Sequence, residues 1–130
     1  MTAPFVCLLI VIFLPYVFST LSGYFKVQQF GTLDNKYPRV QGAQLEGIGA
    51  RAWAAQANAW EAVPVFSAAV LVAHVAGADP DKSATAAIAF VALRVLHGAF
   101  YLANQDVLRS VSFLGASACA VWLFVLAGSA

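Results

Sequence analysis

Charged residues are scarce in this chain. Asp, Glu, Lys and Arg make up 10% of its 130 residues, against about a quarter in a typical soluble domain. The formal net charge is +1, so the chain lacks the basic surface that binds nucleic acid, and we expect no such partner. Hydrophobic residues make up 62% of the sequence. This composition predicts an integral membrane protein.

Cysteine and histidine are also rare. The two cysteines, Cys7 and Cys119, lie in apolar segments, where a single cysteine usually packs as a small apolar residue. The two histidines, His74 and His97, are far from either cysteine along the chain. Because no metal-ligand spacing is present, we expect no metal site.

Four apolar segments account for most of the chain, and each is close to the roughly 20 residues that a membrane-spanning helix needs. They cover about residues 3–24, 51–76, 83–102 and 107–128. None alternates polar and apolar residues, which argues against a membrane β-barrel and leaves helices. The sequence therefore predicts an all-α integral membrane protein, a four-helix bundle forming a single domain over residues 1–130.

The connections between these segments differ in length and charge. The first, residues 26–50, is long, whereas those at 77–82 and 103–106 are short and imply antiparallel neighbours. Asp81 or Ser83 is predicted to cap the third long helix, and Pro80 fits a helix start. Most basic residues lie near the first and third connections: Lys26, Lys36, Arg39, Arg51 and Arg109. The positive-inside rule then places both connections in the cytoplasm.

Polar residues interrupt the second and third apolar segments. The second contains Arg51, Asn58 and Glu61, and the third contains Arg94, His97 and Tyr101, with Asn104 continuing the same spacing just past its end. At 100° per residue, each set falls within an arc of about 80° on one helix face. Polar side chains at membrane depth are costly, so these faces are expected to meet another helix, another subunit or a water-filled cleft.

Two interpretations of these faces stay open. In the first, Arg51 and Arg94 each pair with a buried Glu61, and the polar network holds the bundle together. In the second, the faces bind an anionic ligand that enters from the cytoplasm. The arginines Arg51, Arg94 and Arg109 would then bind carboxylates, with hydrogen bonds added by Asn58 and Tyr101. An arginine beside a thiol would also lower the thiol's pKa.

Three motifs, in this order, resemble the MAPEG family of membrane-associated proteins in eicosanoid and glutathione metabolism. The second segment has Arg51, Asn58, Glu61 and Pro64 in the spacing of the family's second helix. The run Arg94-Val95-Leu96-His97-Gly98-Ala99-Phe100-Tyr101 is similar to the Arg-x-x-His-x-x-x-Tyr run of the prostaglandin E synthase branch. Arg109-Ser110-Val111 resembles the same branch at the start of its last helix.

The resemblance covers essentially the whole chain and implies a function. The chain is similar to a bacterial-type member of the family that resembles microsomal glutathione transferase and prostaglandin E synthase. This similarity implies a multi-pass protein of a bacterial inner membrane. The family's architecture implies a homotrimer with glutathione as co-substrate, bound between subunits. Arg109 would stabilise the thiolate. The residues implied to hold or line the glutathione site are Arg51, Gln56, Asn58, Glu61, Arg94, His97 and Tyr101.

The implied enzyme would be a transferase, peroxidase or isomerase acting on an apolar small molecule or lipid peroxide dissolved among the membrane lipids. Two positions depart from the enzymatic pattern: Ala54 stands where many members have a second arginine, and Phe113 where they have a tyrosine. The family also contains the five-lipoxygenase-activating protein, which presents lipid to a partner without catalysis. The alternative is therefore a non-catalytic lipid-binding or scaffold trimer.

Overall fold

Four long helices form a bundle in the computed structural model of the chain, which describes residues 1–130. They are α1 (Ala3–Phe30), α3 (Gly47–Ala76), α4 (Pro80–Leu102) and α5 (Asp106–Gly128), and a short helix, α2 (Pro38–Ala43), lies in the first connection. Each long helix is long and apolar enough to cross a membrane. The predicted all-α fold with four candidate membrane spans is confirmed.

Small residues let the long helices approach closely. The most extensive contacts join α1 to α3 and α4 to α5. Buried alanines line the centre of the bundle: Ala69, Ala73, Ala86, Ala87, Ala116 and Ala120. Between them the rings of Phe66 and Phe90 stack with centroids 4.0 Å apart. Close packing of small side chains is the usual way in which helices associate within a membrane.

Gly98 marks the tightest contact between α1 and α4. A Cβ atom at this position would overlap the ring of Phe18 on α1. Phe18 is buried against Ala55 and Ala59 of α3, so its ring has little freedom to move away. The glycine therefore allows three helices to meet at one level of the bundle.

Two helices are longer than the sequence predicted. Helix α1 ends at Phe30 rather than near residue 24, because its last residues are polar but still favour a helix. It ends where Gly31 adopts a left-handed conformation with φ of 79°. Helix α3 begins at Gly47 rather than at residue 51. Apolar segment length therefore marked the apolar part of each helix and not its ends.

The predicted cap of α4 was wrong. Asp79 is the cap, and its Oδ1 atom accepts hydrogen bonds from the backbone N–H groups of Asp81 (3.1 Å) and Lys82 (3.0 Å). Pro80 occupies the first helical position, as predicted, because its missing N–H costs nothing there, and the helix therefore starts earlier than the apolar segment at residue 83.

The first connection is folded back against the bundle. Gln41 on α2 accepts a hydrogen bond from the Asp34 N–H at 3.0 Å and donates to the Thr32 carbonyl at 2.8 Å. Gln29, near the end of α1, donates to the Gln44 carbonyl and accepts from the Glu46 N–H. These side-chain bonds fix α2 over one end of the bundle.

Candidate functional site

A buried arginine links the polar residues of two membrane-spanning helices. Arg94 on α4 is 3% exposed. Its Nη2 atom donates to the Asn58 backbone carbonyl at 3.0 Å and to Asn58 Oδ1 at 2.7 Å. Asn58 Nδ2 donates in turn to Glu61 Oε2 at 3.4 Å. The three side chains form one hydrogen-bonded chain from α4 to the exposed surface of α3.

The predicted ion pairs of Glu61 with Arg51 and Arg94 are absent. Arg94 donates to Asn58 through Nη2, and Arg51 Nε donates to the Leu102 carbonyl at the end of α4, 3.2 Å away. The prediction that Glu61 is buried is also wrong for a single chain, since this residue is exposed. Helical spacing placed these residues on one face but could not show which partner each would reach.

One N–H donor of Arg94 makes no hydrogen bond within the protein. Its Nε atom is buried and has no partner. The protein's one ion pair joins Lys82 to Asp79, and Arg94 reaches the Glu61 carboxylate only through Asn58. A buried cation is costly without an anionic partner. The donor set at Arg94 therefore suits an anionic ligand.

A cleft of about 190 Å³ opens beside this hydrogen-bonded chain, between α3, α4 and α5. Its lining residues are Asn58, Glu61, Ala62, Val65, Phe90, Arg94, Phe113, Ala116 and Ser117. One part is polar and charged, and the rest is mainly apolar. Ser117 adds little polarity because its hydroxyl already donates to the Phe113 carbonyl at 2.9 Å. The cleft thus places cationic and anionic groups beside an apolar surface.

His97, Tyr101 and Arg109 form a second group where α4 meets the start of α5. The guanidinium carbon of Arg109 lies 4.5 Å from the centroid of the Tyr101 ring, and the His97 ring lies 5.3 Å from the same ring. His97 Nδ1 is 3.0 Å from the Arg109 backbone carbonyl. Because a carbonyl only accepts, Nδ1 carries the proton and donates. This bond anchors the first turn of α5 on α4.

One residue of the polar face predicted for α4, Asn104, is not part of the helix. Asn104 was expected to continue the polar face of α4, but the helix ends at Leu102. Asn104 follows with φ of 57°, in the left-handed region. It belongs to the tight connection and not to the helix face.

Gln56 lies apart from the other predicted residues. It lines a polar cleft of about 800 Å³ beneath α2, between α1 and α3. Its Oε1 atom is buried without a hydrogen-bond partner. Gln56 therefore belongs to a different surface of the chain from Asn58 and Glu61.

Lys26 is a further polar residue in the Gln56 cleft, and sequence reasoning treated it only as a topology signal. It is 7% exposed, donates from Nζ to the Pro38 carbonyl at 2.8 Å, and lies 4.7 Å from the centroid of a Trp53 ring. It has no carboxylate partner. One face of α1 is buried at Pro15, Phe18 and Ser22, and Lys26 is the next residue at the same helical spacing. That spacing was the signal that could have identified it.

The fold and these polar groups define an integral membrane bundle of four long helices with charged residues inside its spans. The family model of the MAPEG family matches residues 2–129. The chain therefore belongs to the MAPEG family, as its motifs predicted. Comparisons with curated proteins and with solved structures gave no match. Membership makes it a membrane protein of the kind associated with glutathione and eicosanoid metabolism.

Proposed function

We propose that this protein is a glutathione-dependent membrane enzyme, a transferase, peroxidase or isomerase, that acts on an apolar electrophile or lipid peroxide. The observation that carries the proposal is the hydrogen-bonded series from buried Arg94 through Asn58 to exposed Glu61, beside a partly apolar cleft. Glutathione has two carboxylates, an ammonium and a thiol. Arg94 would bind a carboxylate in a charge-assisted hydrogen bond, and Glu61 would accept from the ammonium.

Arg109 would stabilise the thiolate. It lies in the first turn of α5, where the helix dipole adds partial positive charge. Its guanidinium is held against Tyr101, so its position is fixed before a ligand arrives. In a transfer reaction the thiol would lose its proton to water. The sulfur would then form a bond to the electrophilic carbon as the leaving group departs with its electron pair.

The remaining predicted residues have supporting roles in this proposal. Arg51 already donates to the end of α4 through Nε, which leaves its other donors for a carboxylate. Tyr101 and His97 position Arg109 through the ring contact and the carbonyl bond. The apolar residues of the α3–α4–α5 cleft would receive the lipid-soluble substrate.

A homotrimer with the site between subunits is part of the proposal. Glu61 is exposed near the middle of α3, a helix of 30 residues. A carboxylate at that depth is costly against lipid, so another subunit is expected to cover it. Gln56 and Lys26 face a separate cleft of the same chain. They can join Arg94 and Glu61 around one ligand only if they come from a neighbouring copy.

We propose the bacterial inner membrane as the location, with the first and third connections in the cytoplasm. Lys26, Lys36, Arg39, Arg51 and Arg109 all lie near these connections. The positive-inside rule favours that orientation.

The alternative is a non-catalytic lipid-binding or scaffold trimer, and two observations favour it. Phe113 lines the α3–α4–α5 cleft but cannot donate a hydrogen bond. Ala54 supplies no second arginine on the face of Asn58. Both reduce the number of groups that could hold a tripeptide.

Calorimetric titration of glutathione into the purified protein in nanodiscs tests the proposal. We expect saturable binding that Arg94→Met weakens at least about tenfold, the typical effect of losing a charge-assisted hydrogen bond. Lys36→Met, which removes an exposed cation, is the control and should bind like the parent. Equal affinities for parent and Arg94→Met would overturn the assignment of the site. Binding without a thiolate absorbance band would favour the scaffold.

A further inference from the structure

A third cavity lies at the opposite end of the bundle from Arg109. It has a volume of about 530 Å³ and is bordered by the start of α1, the end of α3 and the start of α4. His74 in its wall is 13 residues beyond Glu61 on α3, which is about 20 Å along the helix axis. This cavity is therefore separate from the clefts proposed to bind glutathione.

The cavity combines an apolar inner wall with three hydrogen-bond acceptors. Val70, Ala73 and Leu123 form part of the apolar wall. Ser83, also in the wall, is 7% exposed, and its hydroxyl is buried with no hydrogen-bond partner. Buried polar groups are normally satisfied, so the hydroxyl indicates a missing partner.

The other two acceptors are Asp81 and His74. The Asp81 carboxylate makes no hydrogen bond or ion pair, because the neighbouring Lys82 pairs with Asp79 instead. His74 makes only an edge contact with Phe5, with ring centroids 4.9 Å apart. Both side chains remain free to receive hydrogen bonds from a ligand.

The charge at this end favours a cation. Asp81 carries an unpaired negative charge, and the end of α3 contributes the negative pole of its helix dipole. The positive pole at the start of α4 is already offset by the Asp79 cap. A primary ammonium has three N–H donors, which match the three acceptors in number.

We infer that this cavity binds the primary ammonium head of an amphiphile whose apolar part lies against Val70 and Leu123. The shared chemistry is a protonated amine on a hydrocarbon body. A membrane phospholipid with an ethanolamine head and a free alkylamine both have it. Phosphatidylcholine has the same net charge but a quaternary nitrogen without donors, and is the matched negative probe.

Native mass spectrometry of the protein released from nanodiscs distinguishes these ligands. With equal amounts of phosphatidylethanolamine and phosphatidylcholine, we expect the ethanolamine lipid to be retained preferentially. Asp81→Asn should reduce its retention about tenfold or more, since a charge-assisted hydrogen bond is lost, and Ser83→Ala should reduce it less. Glu46→Gln removes the same charge at the other end of the bundle, outside any ion pair, and should leave retention unchanged.

A parallel thermal-unfolding experiment in detergent uses octylamine and octanoate. Stabilisation by octylamine alone, lost in Asp81→Asn, would support the amine site with a free amine as the ligand. Retention of the ethanolamine lipid would support it with a lipid as the ligand. Equal retention of the two lipids together with no effect of octylamine would overturn the inference, as would ethanolamine-lipid retention or octylamine stabilisation that persists in Asp81→Asn.

Discussion

Replacing Arg109 by alanine should lower the thiolate fraction of bound glutathione with little loss of binding. The Arg109 guanidinium lies 4.5 Å from the Tyr101 ring centroid, so a thiol resting on Tyr101 would lie near the cation. Opposite charges about 5 Å apart at an effective dielectric of about 20 attract by about 3 kcal/mol. Arg109 is partly exposed, and screening by water reduces this attraction to about 1.5 kcal/mol. That is about one pKa unit of the thiol, or a tenfold change in thiolate fraction.

The alanine variant should keep its fold, because His97 donates to the backbone carbonyl of Arg109 and not to its side chain. The assay is a pH titration of the thiolate absorbance band at saturating glutathione. Lys36→Ala is the matched control, since it also removes a cation from a tyrosine ring, 5.5 Å from the Tyr37 centroid. Arg109→Lys should recover only part of the effect, as an ammonium lacks the planar fork. Equal thiolate fractions in parent and Arg109→Ala would refute the proposed role.

Three further predictions concern assembly and stability. Glu61→Ala should lower the trimer fraction in native mass spectrometry. Its circular dichroism should stay unchanged, because within one subunit Glu61 accepts only one long hydrogen bond. An unchanged trimer fraction would contradict the proposal that another subunit covers Glu61. Gly98→Ala should destabilise the bundle by about 1–3 kcal/mol through overlap with Phe18, whereas Gly128→Ala, with nothing nearby, should be neutral in the same thermal unfolding. Asp79→Ala should cost about 1 kcal/mol by removing the cap of α4, and an unchanged unfolding temperature would rule that cap out.

The sequence predicted the helices well because membrane spans impose a strong constraint. About 20 apolar residues per span is a signal that survives local variation. Helix ends lie outside the apolar region and depend on capping and tertiary contacts. Phe30, Gly47 and Asp79 were therefore missed as boundaries. The short helix α2 carries no apolar run and is held by side-chain bonds from Gln41.

The candidate site was predicted as a set of residues but not as a set of contacts. Helical periodicity put Asn58, Glu61 and Arg94 near each other, and the structure links all three. Periodicity gives the direction of a side chain around the helix but not which partner it contacts. It could not predict that Arg94 bonds to the shorter Asn58 rather than to Glu61. Lys26 was missed because its charge suggested a loop, while the helix continues past it.

Determining the structure of the assembled protein with glutathione bound is the sharpest test of the proposed site. We expect three subunits with the tripeptide between neighbouring copies, one carboxylate on Arg94 and the sulfur beside Arg109. Gln56 and Lys26 should reach the same ligand from the adjacent copy. An acyl chain filling the α3–α4–α5 cleft, with no tripeptide at Arg94, would refute this glutathione site and favour the lipid-binding scaffold.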